Sequence, residues 1–409
     1  MTGARRIYLD NAATTRTSRR AIERMAVAQR DLYGNPSSPH AFGPPAKRAL
    51  DDAREFLRGS LAAHRVVFTS GGSEADYLGV VGAAATRAPG RVLMSKADHL
   101  ALLRCSGLLA RYRHHVTELE VTEDGDIAPE TLFDALGGDV RVVALMYGHN
   151  ELGTLCKLDE LVELTRRAAP EAHIHVDLVQ TYGKLPFDLD TFDVDSVAVS
   201  GHKLHGPRGA GLLALSADAK LAPLQEAGGQ EQGLRGGTEN VAGAVGLATA
   251  AEEALTHQAE TAAHTSELCE RVFDIVADAV PDAERLGHPD RRLPHILSLR
   301  LPGVVGETLM TRCDRRGVAF STGSACHGAA PAKGAAKRSP RGGRAPDNHV
   351  LAAIGLSYAE AKEVVRLSFS GETSVEEAED AADVVAEEAA RLLASAPRPR
   401  RGAAQGQDR

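Results

Sequence analysis

The sequence predicts an α/β fold: a large, mostly parallel sheet with helices on both faces, joined to a smaller α+β unit. Three observations predict it. Short apolar runs of strand length alternate with helically spaced stretches as far as about residue 240. The residues with chemical potential fall at or just after the ends of those runs, where an open α/β sheet gathers its ligands. From about Val241 the texture changes to Ala/Glu-rich helical spacing with only a few strand-like runs.

The start, Met1–Arg6, is short and basic and has no apolar run before Ile7, which is not the pattern of a secretory leader. Arg19–Tyr33 has helical spacing, and Gly34-Asn-Pro-Ser-Ser38 breaks it. Pro45–Leu61 reads as a second helix. Arg65–Thr69 is a short apolar strand that runs into Ser70-Gly-Gly-Ser73 and then into an Ala-rich helix from Glu74. Strand, turn and helix alternate again through Val92–Met94, Leu100–Arg111 and Val116–Leu119. Val140–Tyr147 ends in His149-Asn-Glu151. An apolar strand ends at Asp177, and Val194–Ser200 leads to Lys203. Beyond Val241 the helical stretch runs to about Val280, followed by the strand-like Leu293–Leu301. A helix Gly306–Arg316, a strand Gly317–Ser321 and a last strand Val364–Phe369 complete the smaller unit. The final helix is expected to open on a capping box, Thr373-Ser-Val-Glu376.

These elements divide the chain into a large domain, 18–247, and a small domain made of 1–17 and 248–396. Gly328–Pro346 holds only Gly, Ala, Pro, Ser, Lys and Arg, too few apolar groups to offset the entropy of ordering. It is expected to be a flexible insertion, and 397–409 a disordered tail.

At 409 residues the chain can bury a large core. No stretch has the length and apolarity of a membrane span. A net charge of −8 does not suggest wholesale nucleic-acid binding, so no direct nucleic-acid contact is expected. The five cysteines (Cys105, Cys156, Cys269, Cys313 and Cys326) are scattered, odd in number and without a CxxC pair. That argues against a disulfide framework or a zinc cluster and for a reducing cytoplasm, with no metal expected.

Lys203 follows Ser200-Gly-His, Asp177 and Gln180 stand in His175-Val-Asp-Leu-Val-Gln180, and Cys326 closes Ser321-Thr-Gly-Ser-Ala-Cys326. A pyridoxal 5'-phosphate enzyme that takes sulfur from an amino acid needs these three groups. The lysine can hold the cofactor as a Schiff base, the aspartate can keep the ring nitrogen protonated, and the cysteine can take the sulfur. Gly72, Ser73 and their amides would face an anion at a helix end, and Ser200 and His202 add donors beside Lys203. His99 opens a helix after a strand. Each residue also has a plainer use: Asp177 as a helix N-cap, Lys203 as a solvated loop lysine, Cys326 as a small buried hydrophobe, His99 as a structural ring. Their joint placement at strand ends separates the two readings.

The motifs Tyr8-Leu-Asp-Asn-Ala-Ala-Thr-Thr15, Gly34-Asn-Pro-Ser-Ser38, Phe68-Thr-Ser-Gly-Gly-Ser-Glu74, Asn150-Glu-Leu-Gly153, Ser200-Gly-His-Lys203, Gly228-Gly-Gln-Glu231, Leu234-Arg-Gly-Gly-Thr-Glu-Asn240 and Gly323-Ser-Ala-Cys326 extend this pattern. With His175-Val-Asp177 and Arg366 they make the chain resemble the NifS/IscS-type cysteine desulfurases of the class V aminotransferase family, from Tyr8 to about Val385. The resemblance implies the fold type I architecture of pyridoxal-phosphate aminotransferases. It implies that Lys203 forms the internal aldimine, His99 stacks on the ring, Asp177 pairs with the ring nitrogen and Gln180 bonds the phenolic oxygen. Gly72, Ser73, Ser200 and His202 would hold the phosphate, helped by Thr238 from the second subunit of a homodimer. Arg366 would clamp the carboxylate of L-cysteine, with Asn150 and Asn35 assisting. Cys326 would carry the sulfur as a persulfide to a sulfur-acceptor protein.

The chain departs from the family in four places. Ala75-Asp-Tyr77 stands where Asn-Asn or Ser-Asn-Asn is usual, His149 where the first Asn of Asn-Asn-Glu is usual, and Leu178-Val179 where two alanines are usual. His327 replaces a common Thr before a long insertion. The Ala-Cys-His run is also similar to that of selenocysteine lyases, the alternative enzymatic reading. A non-catalytic scaffold would be expected to have lost Lys203 or Cys326, and both are present.

Overall fold

The computed structural model of the chain describes residues 6–225, 228–323, 344 and 346–395. Cys326, nearly all of the expected insertion 328–346 and the expected tail 397–409 lie outside the described residues.

A short strand β1 (Ile7–Tyr8) precedes a seven-stranded sheet. Its strands are β2 (Arg65–Thr69), β3 (Arg91–Ser95), β4 (His115–Leu119), β5 (Val140–Met146), β6 (His173–Asp177), β7 (Ser196–Ser200) and β8 (Gly211–Leu215), in the spatial order β2-β8-β7-β6-β5-β3-β4. The strands from β7 to β4 run parallel. The sequence reading missed β8, which slots antiparallel between β2 and β7. Five of these strands are buried along almost their whole length, so they read as continuous apolar runs rather than alternating ones. That is why Gly211–Leu215 gave no period-two signal. The main core lies between this sheet and its helices, around Leu145, Ile174, Val197 and Leu212.

The smaller unit carries β9 (Glu284–Arg285), β10 (Ile296–Arg300), β11 (Val318–Ala319), β12 (Ser321–Thr322) and β13 (Val364–Ser368). The single strand expected at Gly317–Ser321 is two. β11 pairs in parallel with β1, while β12 joins an antiparallel sheet of order β12-β13-β10-β9. Phe320, between the two, is buried. Val272, Leu299, Leu309, Leu367 and Val385 form a second core under this sheet.

The domain boundary predicted at residue 247 falls inside a helix. Val241–Thr256 is unbroken and packs on the helices Arg19–Asp31 and Gly43–Ser60 of the large unit. The next helix, Gln258–Ala279, packs on Val375–Ser395 of the small unit, so the packing changes hands at His257. Ala-rich spacing fits both helices equally and hid the break. The last helix opens one residue later than expected. Ser374 and Glu377 exchange the two capping-box hydrogen bonds, while Thr373 accepts from the Ser370 amide at 3.2 Å. Leu100–Arg111 is two short helices, Leu100–Leu103 and Ser106–Arg111. Among the described residues no helix is long and apolar enough to cross a membrane.

Candidate active site

A cleft of about 270 Å³ opens at the carboxyl ends of β6 and β7. Nine of the residues singled out from sequence line it: Gly72, Ser73, His99, Asn150, Asp177, Gln180, Ser200, His202 and Lys203. Parallel strands bring them together because each strand delivers its last residues to the same edge.

At one end of the cleft the helix starting at Gly72 meets Ser200 and His202. Gly72 is required there by close packing. A Cβ would come within 2.6 Å of the Val179 side chain, which itself walls the cleft. Val179, bulkier than the alanine usual in the family, thus packs against a glycine. The helical run from Gly72 continues through a π turn, Leu78–Gly82, to Ala85, so its first amides have a full helix behind them. His202 accepts or donates at Thr14 Oγ1 (3.1 Å), and burial beside Lys203 pushes its ring down to about 4. It is therefore neutral at physiological pH.

Asp177 ends β6 and is buried. Its Oδ1 accepts from the Val179 amide at 2.7 Å, which closes the turn and fixes the carboxyl. Burial pushes this carboxyl up to about 8, with Asp76 adding to the rise and Lys203 opposing it. Lys203 Nζ donates to the carbonyls of Ala12 and Ala13 at 2.6 and 2.8 Å, and Gln180 Nε2 donates to the same Ala12 carbonyl at 2.9 Å. The motif Tyr8–Thr15 therefore works as a backbone anchor for the lysine. His99 caps its own helix, its Nδ1 accepting from the Ala101 amide at 3.1 Å, which leaves Nε2 to carry the proton. Burial, with Lys203 and His349 nearby, pushes that ring down to about 4.

Three expected residues are not on the wall of this cleft. Arg366, on β13, is buried beside it. Its Nη1 donates to the Asn150 carbonyl and its Nη2 to Asp10 Oδ1, both at 2.9 Å, while the buried Nε has no hydrogen-bond partner among the described residues. Asn35 is exposed and bonds the Ser37 amide with its own side chain. Thr238 is exposed as well. Four lining residues were not foreseen: Asp76, Met146, Gly148 and Val179. Asp76 and Val179 were visible in the sequence only as departures from the family pattern. His149, another departure, is a turn-former. Its Nδ1 accepts from the amides of Glu151 and Leu152, and its Nε2 meets the Ala97 carbonyl at 2.9 Å.

A buried carboxyl, a lysine amine within the same cleft, a neutral imidazole and a cluster of phosphate-type donors fit a flat, phosphorylated, nitrogen-containing ring. Fold and site together define a class V aminotransferase. The family profile described as "Aminotransferase class-V" matches residues 7–380, and the chain belongs to that family. Within it the chain is 37% identical over 396 residues to IscS 1 of Bacillus subtilis (strain 168), covering 95% of this chain and 99% of that one. It is 33% identical over 375 residues to the cysteine desulfurase NifS of Azotobacter vinelandii, covering 91% and 89%. Among solved structures, a NifS-like protein superposes with a TM-score of 0.83 at 30% identity, over 93% of this chain and 98% of that one. A structure of SspA in complex with cysteine superposes with a TM-score of 0.74 at 30% identity, over 89% and 98%.

Proposed function

We infer that this protein is a cysteine desulfurase that binds pyridoxal 5'-phosphate on Lys203 and converts L-cysteine to L-alanine, leaving the sulfur on Cys326. The observation that carries the reading is the shared cleft of Lys203, Asp177, Gln180 and His99, with Ser73, Ser200 and His202 at its phosphate end. When bound, the cofactor supplies an electron sink for the carbanion that forms at the substrate Cα. Everything else is the work of this chain. Ser73, Ser200, His202 and the Gly72 amide would hold the phosphate. His99, neutral, would pack on the ring without adding charge. Asp177 would pair with the ring nitrogen, and Gln180 with the phenolic oxygen.

Arg366 is the group that receives the substrate carboxylate. Asp10 and the Asn150 carbonyl already fix its guanidinium plane, so little side-chain entropy is left to lose on binding. Lys203 Nζ, in the same cleft, would serve as the base that takes the Cα proton. The thiolate of Cys326 attacks the substrate sulfur and the Cβ–S bond breaks. The electron pair stays on the carbon skeleton, which is protonated and leaves as alanine, and the sulfur remains as a persulfide. A sulfur-acceptor protein then takes it. Thr238, exposed and absent from the wall of its own cleft, is supplied to a partner's phosphate site in a homodimer. Purified enzyme tests the whole reading. With Cys326→Ser the yellow colour and the cofactor content are expected to persist. Alanine formation from cysteine should fall by about two orders of magnitude or more. Undiminished alanine release would mean that Cys326 is not the acceptor.

A further inference from the structure

The floor of the cleft contains a carboxyl that the reading above does not use. Asp76 lies on the helix Gly72–Tyr77, is fully buried, and lines the cleft beside Asp177. Its Oδ1 meets His175 Nε2 at 3.2 Å. His175 stands two residues before Asp177 on β6, so both side chains leave the sheet on the same face. His175 Nδ1 in turn meets Ser196 Oγ at 2.8 Å, and that hydroxyl meets His173 Nε2 at 2.7 Å. Ser196 and His175 are register partners across β6 and β7.

The backbone is shaped to make this pairing. A Cβ at Gly79 would come within 2.4 Å of His175 Nδ1, so only glycine lets the helix pass this close to the ring. The helix widens to a π turn at Leu78–Gly82, two residues after Asp76. An aspartate, a glycine three residues on and a local unwinding all converge on one imidazole.

We propose that Asp76 is a second carboxylate of the cofactor floor, a positioning residue that acts with His175 beside Asp177 to keep the proton on the ring nitrogen. This rests on the cofactor reading given above. The electrostatics run in the required sense. In the free protein burial alone pushes Asp76 up to about 8, and it pushes His175 down to about 4. Both groups are then mostly uncharged at neutral pH, and the floor carries no large uncompensated charge. The other titratable groups that interact with Asp76 are Asp98, Cys105 and Asp177, and Lys203 is the cation acting on Asp177. A cationic ring nitrogen placed over this floor draws its carboxyls toward the charged form. Negative charge on Asp76 then makes Asp177 more basic and the ring nitrogen harder to deprotonate.

Nitrogen-15 NMR of the holoenzyme, loaded with pyridoxal phosphate labelled at the ring nitrogen, reads this proton directly as pH is raised. In Asp76→Asn the midpoint for loss of the ring proton should fall by about one pH unit, roughly a tenfold change in acid constant. The cofactor should stay bound to Lys203, and kcat should drop with KM for cysteine unchanged. His175→Phe keeps the ring's volume and removes both nitrogens, so it provides a second route to the same pair. It leaves Asp76 unpartnered and protonated, and should lower the midpoint in the same direction. Melting curves show which variants fold. Cofactor uptake with an unmoved midpoint in a folded variant overturns the role of Asp76 and leaves the cofactor reading standing. A wild-type protein that takes up no cofactor on Lys203 overturns both.

Discussion

The two ends of the site are built differently. The proposed cofactor end is a product of one sheet. Asp177 ends β6, Ser200 ends β7, and Lys203 follows within one short turn. Their positions are fixed by ladder hydrogen bonds and by a core with almost no solvent access. The proposed substrate end is assembled from parts far apart in the chain. Arg366 comes from β13 of the small unit, Asp10 from the N-terminal segment and Asn150 from the turn after β5. One guanidinium joins the three. The first end is preorganised by the fold, whereas the second depends on how the small unit sits against the large one.

Removing Lys203 should break the cofactor end outright. For Lys203→Ala we expect loss of the covalently held cofactor and a fall in desulfurase activity of about three orders of magnitude or more. Borohydride reduction followed by peptide mapping checks it. Label on any other lysine of the wild-type protein would sink the assignment.

The substrate end should fail more gently and in another parameter. Arg366→Lys keeps the charge but loses the planar fork that holds Asp10 and the Asn150 carbonyl together. KM for cysteine should rise by about tenfold to a hundredfold, with cofactor absorbance unchanged. Loss of cofactor in this variant would show that the two ends are not separable.

The smallest effect sharpens the contrast through pH. Asp177 and Asp76 are each raised to about 8 by burial, so the stability they contribute is complete below the ordinary carboxylate range. It is lost as pH rises through about 8. The buried rings of His99, His149 and His202, lowered to about 4, act the other way, and their contribution is complete above about pH 6.5. Between about pH 6.5 and 8 the two carboxyls should make the cofactor-free protein melt at progressively lower temperature, against a smaller opposing gain from Lys184, which burial pushes down to about 7. Asp177→Asn should flatten that slope, seen by calorimetry across the window. A melting temperature indifferent to pH in the wild type would mean that the floor is hydrated.

That Lys203, Asp177, Gln180 and His99 share one edge of the sheet was legible in the sequence. Short apolar runs, each followed by a polar residue at its end, identify strands and the edge where they deliver side chains, because a parallel sheet buries both faces and exposes only its ends. Lys203, Asp177, Gln180 and His99 were found that way. Other features escaped for definite reasons. β8 was hidden because a fully buried strand has no alternation. The break at His257 was hidden because an Ala-rich stretch favours helix on both sides of it. The capping box was misplaced by one residue because Thr373 and Ser374 are both followed three places on by a glutamate.

The sequence by itself determined the layered α/β architecture, the family, and the placement of Lys203 and Asp177 at strand ends, since these rest on local pattern and on contiguous motifs. Only the tertiary structure decided that Asp76 joins the cleft floor, that Arg366 is held by Asp10 and Asn150, and that Lys203 rests on the Ala12 and Ala13 carbonyls. The physical reason is the same for all three. Each is a contact between side chains or backbone remote in sequence, whose approach is set by which strands lie side by side and how closely a glycine lets a helix come. No periodicity along one chain records that distance.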